Sequence, residues 1–540
     1  MLKRTITCSS DYLHIPVIPG GRRVEMQIWL EGDLVLSPCL ALCDEGGYYF
    51  FLDVKRFHGL SLTLIVPDSS VITEQCLDRI LAGNAPEEEP DLYPDLYSEK
   101  YRPQFHFSSR RGWLNDPNGL VCKDGIYHMF YQHNPLGTPH GQVNVCWGHA
   151  ISKDLLHWKE LDDSIRPWVR KWSIASGSAV IDAENLAGYG NNAIIAAFTV
   201  LGTKNIDDTK PEYPSGGQYI AASTDDGKTF QRFSFEPTIS TKDGMGWRDP
   251  RLFHYGDHYC LAVYETDEQR NNCVSFYVSK DFHTWRRASR NQDLYECPDI
   301  FPLNVKGENT ERWILYGADG KARIGDFDGY HFIESGISNP LDYGSATYAG
   351  QTWSNEPGGR RIHISWVRAM GGTGEDFGYD NMPFSQCMSF PAEITLQQTS
   401  NGLMVCRSPI PEYKKLISKE SCVFNDWITT DHIVNMPNIS ICEAVLSKFT
   451  GDAEIRLGEH NIKYIFSKKE LLFENGSTAP IDTEEISVLI LYDITTIEII
   501  FNNMFTATYS MYPEFRSVIF KGQCQLMYRV FNADKIWNDN

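Results

Sequence analysis

Short apolar runs divided by turn residues recur through most of this chain, and stretches of helical period are rare. Short apolar runs at residues 24–30, 34–36, 48–52 and 60–66 are separated by turn residues such as Glu31, Gly32 and Asp33. This pattern predicts a small antiparallel β domain over residues 1–70. Thr73 is placed to cap a helix running to about Ala82, with Cys76, Leu77, Ile80 and Leu81 on one face and Gly83 as its stop. Prolines at 86, 90 and 94 with glutamates between them then predict a stiff acidic linker, so that 71–100 reads as helix plus linker.

From 101 to 395 the pattern becomes short strands divided by Gly and Asp turns, and it repeats. SKDLLHW at 152–158 recurs as SKDFHTW at 279–285, with weaker copies in STDDGKTF at 223–230 and GDFDGYHF at 325–332. Each copy fits one device: a strand ends, an Asp turn follows, and an aromatic opens the next strand. The spacing of the copies matches the blades of a β-propeller, and the residues available make about five. From 400 to 540 longer apolar strands take over, at 486–492, 496–501 and 506–509, with Asn502-Asn503 as a turn. That is a β-sandwich pattern. The expected fold is all-β: a five-bladed propeller followed by a sandwich, preceded by a small β domain.

The composition narrows the function. The chain has 540 residues, 42% hydrophobic and 22% charged, as expected for a globular protein with a large core. Its 49 Lys and Arg against 70 Asp and Glu give a net charge of −21, which disfavours nucleic acid and anionic lipid as partners. The 14 cysteines are scattered without a CxxC pair, so no zinc site is expected. The first residues carry no apolar run of signal-peptide length and no stretch reaches membrane-span length. A cytoplasmic protein with reduced thiols is the expectation, and the oligomeric state stays open.

Three carboxylates stand out. Asp116 lies in WLNDPNG, Asp249 in WRDP and Glu296 in ECPD, each one or two residues before a proline. A proline stops ladder pairing and fixes the backbone, so each carboxylate is expected at a strand end, pointing out of its sheet. Singly, such pairs are ordinary turn formers. In a propeller, however, the inner strands of all blades converge on one axial pocket. Carboxylates sharing a pocket split their pKa values, which is the arrangement that glycoside cleavage requires.

Residues 100–530 resemble glycoside hydrolase family 32, the β-fructofuranosidases, invertases, inulinases and levanases. WLNDPNG, RDP and ECP occur in the family's order, and YHMFYQHNP at 127–135, CWGHA at 146–150, SGSAV at 176–180 and ISW at 364–366 also match. The resemblance implies a retaining glycosidase that releases fructose from the non-reducing end of β-fructofuranosides without a cofactor or metal. It implies Asp116 as nucleophile, Glu296 as acid and then base, and Asp249 as an ionised group that holds sugar hydroxyls. It further implies that Asn115, Gln132, Ser176, Arg248 and Trp366 line the fructose subsite. Gln132 also has a plainer role open to it, satisfying a backbone group.

The departures bear on specificity. Where the family has a Trp-Gly pair before CWGHA, this chain has residues 139–144 without Trp, and His140 or Gln142 is expected to fill the gap. Ala175 stands where an aromatic is usual. An atypical linkage or partner sugar is therefore expected. Short fructosides such as sucrose, inulobiose-like disaccharides and fructo-oligosaccharides suit a cytoplasmic enzyme. An exo-acting inulinase or levanase, a fructosyltransferase and a non-catalytic fructan-binding protein are the alternatives.

Overall fold

The computed structural model describes residues 1–140, 144–167, 173–201, 216–240, 246–336, 339–369, 379 and 381–537. Strands dominate it. The N-terminal segment forms a four-stranded sheet from Leu2–Thr7, Ser61–Val66, Gln27–Leu30 and Asp33–Leu36. Beside it lies a three-stranded sheet built on Tyr12–Val17. Leu13, Ile15, Met26, Ile28, Phe50, Leu62 and Leu64 fill the core between them.

Two sequence expectations change here. Thr73 does cap a helix, its side chain accepting from the Gln75 amide, but the helix spans only Glu74–Asp78. Leu81–Gly83 leaves it to add a strand beside Tyr12–Val17, because a sheet edge there offers pairing that a second helical turn would forgo. The acidic segment that follows is not a free spacer. Glu87 pairs with Arg110 at 3.0 Å, Glu99 with Arg102 at 2.7 Å and Arg111 at 2.6 Å, and Tyr93 is buried. Its charges are spent on the arginines that open the next domain.

Five sheets follow, antiparallel except where Phe384–Ser385 pairs in parallel with the start of Gly112–Lys123. They begin with Gly112–Lys123, Ser173–Asp182, Arg248–Tyr255, Asp299–Asn304 and Thr347–Thr352. The first strand of the first sheet touches that of the second, the second the third and the fourth the fifth, and the last returns to the first; an ion pair joins the third to the fourth and closes the ring. Arg251 of the third sheet pairs with buried Asp299 of the fourth at 2.8 Å, and the Thr352 amide of the fifth donates to the same Asp299 at 2.7 Å. The sequence repeat marks one turn, between the third and fourth strands of the first four sheets. Asp154, Asp225, Asp281 and Asp328 each accept a backbone amide there, from His157, Thr229, Thr284 and His331 at 2.7–3.0 Å. The fifth sheet continues past residue 395 through Ala392–Thr399 and Gly402–Pro409, so the propeller extends beyond the expected limit. Apolar alternation in that hairpin reads equally well as sandwich.

Two six-stranded sheets make the C-terminal sandwich. Ile486–Tyr492, Thr496–Phe501 and Phe505–Ser510 are neighbours, and Asn502 and Asn503 turn between the last two with φ of 53° and 51°. A buried polar seam locks sandwich to propeller. Asp493 accepts the amides of Gln104, Phe105 and His106 and also the His106 ring at 2.9 Å. Glu498 accepts the Phe390 amide at 2.6 Å, and Arg407 bridges Asp342 and Glu498. Orphaning a buried amide costs about 1–3 kcal/mol, so Asp493 alone secures three such groups.

Burial opposes protonation of His106, but its hydrogen bonds to Asp493 and Glu498 win and hold its pKa up at about 9. The folded value lies above the unfolded one. The stability it contributes is therefore complete below the ordinary histidine pKa and is lost as pH rises through about 9. The unfolding temperature should fall between pH 6.5 and 9, and His106→Gln should remove that part of the decline. An unchanged slope in the variant would contradict the seam's role.

Candidate active site

The first strand of each sheet is innermost, and four of the five carry a one-residue bulge at the same level. Leu114 and Pro117 oppose His133 and Tyr131; Ile174 and Gly177 oppose Val200 and Phe198; Arg248 and Arg251 oppose Tyr264 and Ala262; Tyr348 and Gln351 oppose Trp366 and Ile364. In each case three steps on the inner strand match two on its neighbour. A bulge re-aims the residues within it. Those residues are Asn115 and Asp116, Ala175 and Ser176, Asp249 and Pro250, and Ala349 and Gly350. In the fourth sheet, Glu296 and Cys297 do the same just ahead of the strand, with φ of 48° and 38°. Gly317 makes room for them, since a Cβ there would lie 2.5 Å from the Tyr295 carbonyl.

The carboxylates thus stand at the starts of the innermost strands, not at strand ends as expected. Pro117 and Pro250 lie inside those strands. Proline is tolerated because both prolines sit at the bulges, where the ladder is already interrupted.

Cys297 joins the three acids. Its thiol lies 3.5 Å from Asp116 Oδ2, its amide donates to Asp249 Oδ2 at 3.2 Å, and Glu296 precedes it in the chain. Ser176 Oγ donates to Asp116 Oδ2 at 2.5 Å. The Tyr348 hydroxyl donates to Glu296 Oε2 at 2.6 Å. Arg248 holds Glu296 Oε1 through Nε at 3.1 Å, passes 3.7 Å from Asp249, and lies over the Tyr264 ring. Neither Cys297 nor Tyr348 was picked out from sequence. Cys297 sits within the ECPD motif but suggests no chemistry there, and Tyr348 has no motif around it.

Rings form an arc around this cluster. His140 meets Trp113 edge-on with centroids 5.9 Å apart, Trp113 meets Trp366 at 5.9 Å, and Trp366 meets Tyr348 at 6.1 Å. Trp113 Nε1 donates to Asn115 Oδ1 at 2.8 Å, which orients the residue beside Asp116. The Trp366 indole is fixed by Gln386 at 3.2 Å. His140 thus ends the arc, in edge contact with Trp113, while Gln142 lies outside the described residues. Of the expected subsite residues, Asn115, Ser176, Arg248 and Trp366 are gathered here. Gln132 is buried and its amide donates to the Ile174 carbonyl at 3.0 Å, so it ties the first sheet to the bulge of the second. Trp147 likewise props that bulge, donating to the Ala175 carbonyl at 3.0 Å.

Electrostatics departs from expectation at Asp249. Asp249 was expected to stay ionised, yet burial pushes its pKa up to about 7 against the pull of Arg248, with Asp116 and Glu296 adding to the rise. Asp116 is raised as well, again first by burial. Arg248, expected to line the fructose subsite, holds Glu296 and lies near Asp249, so its positive charge stands among the acids.

The folded pKa of Asp249 lies above its unfolded value of 3.8, so its contribution to stability is complete below that value and is lost as pH rises through about 7. Asp249→Asn carries no charge at any pH. Its unfolding temperature should gain on the wild type by a few degrees between pH 4.5 and 8. A gap that stays constant over that range would contradict the assignment.

The sequence profile of the glycosyl hydrolases family 32 N-terminal domain matches residues 106–407. The chain is 32% identical over 346 residues to a levanase of Bacillus subtilis (strain 168), covering 58% of this chain and 48% of that one. It is 29% identical over 455 residues to an invertase of Debaryomyces hansenii, covering 76% and 80%. The chain thus spans about half the length of the Bacillus subtilis levanase. Its fold is similar to that of the exo-inulinase from Aspergillus awamori, with a TM-score of 0.68, 20% identity, and coverage of 82% of this chain and 100% of that one. It is also similar to a fructofuranosidase from Schwanniomyces occidentalis, with a TM-score of 0.67, 21% identity, and coverage of 81% and 99%. A profile that spans more than half of the chain and takes in all three converging carboxylates shows that this protein belongs to glycosyl hydrolase family 32.

Proposed function

We propose that the protein is a retaining β-fructofuranosidase that releases fructose from the non-reducing end of short fructosides. The observation that carries this reading is the meeting of Asp116, Asp249 and Glu296 around Cys297. The relatives named levanase, invertase and exo-inulinase support the substrate class.

Asp116 attacks the anomeric carbon of the fructosyl unit, forming a carbon–oxygen bond as the glycosidic bond breaks. Glu296 gives its proton to the departing oxygen. It then takes a proton from water as that water displaces Asp116, which restores both groups. Ser176 aims the Asp116 oxygen, and Tyr348 orients Glu296. Asp249 accepts hydrogen bonds from sugar hydroxyls, and its effect is greatest as positive charge develops on the sugar. Those bonds replace the lost solvation that raises its pKa in the free protein. Arg248 leaves Glu296 for a hydroxyl when substrate enters, which frees Glu296 to carry the proton.

Incubation with sucrose, inulobiose and levan should release free fructose, fastest from the disaccharides. Glucose and fructose in equal amounts from sucrose mark hydrolysis, and a fructose deficit marks transfer to sugar. Asp116→Ala or Glu296→Gln should lower turnover about a thousandfold or more with the fold intact. Absence of fructose from every fructoside would overturn the proposal, and binding retained in that case would identify a fructan-binding protein.

A further inference from the structure

The N-terminal β domain lies far from the carboxylates in sequence, yet it grips the one propeller loop that carries His140. Leu136 leaves the first blade and is buried in the core of the N-terminal domain, among Leu13, Met26 and Leu40. Asn144 closes the other end of the loop with two hydrogen bonds to a single residue of that domain. Its Oδ1 accepts from the Cys39 amide at 3.4 Å and its Nδ2 donates to the Cys39 carbonyl at 3.1 Å. Asn134 braces the near side of the loop, accepting from the Leu136 amide at 3.2 Å and donating to the Pro139 carbonyl at 2.9 Å.

Leu136 before His140 and Asn144 after it are thus anchored in another domain, and Asn134 braces the near side. Between them His140 meets Trp113, and Trp113 holds Asn115 next to Asp116. The strand that bears Trp113 starts hard against the loop. Gly112 has φ of 85°, and a Cβ on it would lie 2.1 Å from the Asn134 carbonyl. The start of that strand and the base of the loop are therefore in close approach.

We propose that the N-terminal domain is a working part of the substrate site, with Asn144 and Leu136 as positioning residues that press His140 onto Trp113. This rests on the fructosidase reading and assigns the N-terminal domain a role within it. The domain supplies by clamping what an aromatic side chain supplies from within the propeller, a firm wall beside the fructosyl pocket. It sets how tightly a short fructoside is held, because a disaccharide makes few contacts beyond that wall.

Asn144→Ala in the full chain tests the clamp without opening the N-terminal core. Amide hydrogen exchange should quicken in peptides covering 112–118 and 134–140. With sucrose or whichever short fructoside is cleaved, KM should rise about fivefold while kcat changes less than twofold, the mark of lost binding rather than lost chemistry. His140→Ala should raise KM similarly, and the double variant should be no worse than His140→Ala alone, because both changes break one chain of contacts. Faster exchange confined to residues 1–70, or KM effects that multiply in the double variant, would overturn the proposal. If the wild type cleaves no fructoside, the fructosidase reading fails, and exchange at 112–118 still decides the clamp.

Discussion

Three carboxyl groups share one buried corner, and the rest of the propeller is arranged to make that tolerable. Removing a carboxylate from water disfavours its charge, and two more nearby deepen the effect. The rise of Asp249 to about 7 is the direct consequence. Against it stand the Arg248 guanidinium, the Ser176 and Tyr348 hydroxyls and the Cys297 amide, each aimed at one named oxygen. Such aim demands a backbone that does not give. Four bulges in register and the tight turn at Glu296 provide it, at a conformational cost. Asp249, Glu296, Cys297 and Ala349 all take the left-handed region that side-chain-bearing residues avoid.

That cost is carried by packing elsewhere. A buried ion pair from Arg251 to Asp299 and a hydrogen bond from the Thr352 amide to the same Asp299 link the third, fourth and fifth sheets, so a blade cannot tilt there without breaking them. The sandwich holds the ring from outside through Asp493, Glu498 and Arg407. At the other end Arg110 and Arg111, directly ahead of the strand that bears Asp116, are gripped by Glu87, Asp95 and Glu99. Exposed pairs such as Lys280 with Asp257 contribute little by comparison, because water screens them.

Much of this was legible in the sequence because it is periodic or motif-borne. The Asp turns at 154, 225, 281 and 328 repeat because four of the blades need the same amide satisfied, and the strands from 486 onward read as long apolar runs because both of their faces are buried. Asp116, Asp249 and Glu296 were visible through the prolines beside them. What stayed hidden depends on pairing across long sequence distances. The bulges are invisible without register, so the carboxylates were expected at strand ends. Tyr348 and Cys297 carry no local signal, since their partners arrive from other blades. Leu81–Gly83 kept a helical spacing and became a strand because a sheet edge was waiting. The charge state of Asp249 likewise follows from burial, which no motif encodes.

The central claim is that this corner carries out double displacement with Asp116 as nucleophile. Its most direct measurement is mass spectrometry of the Glu296→Gln protein after brief exposure to a fructoside with a leaving group that departs without protonation. Slowed breakdown should let the intermediate accumulate, and one anhydrofructose unit should be found on the peptide that contains Asp116. A label on another residue, or fructose released at wild-type rate with no label at any time, would contradict the account.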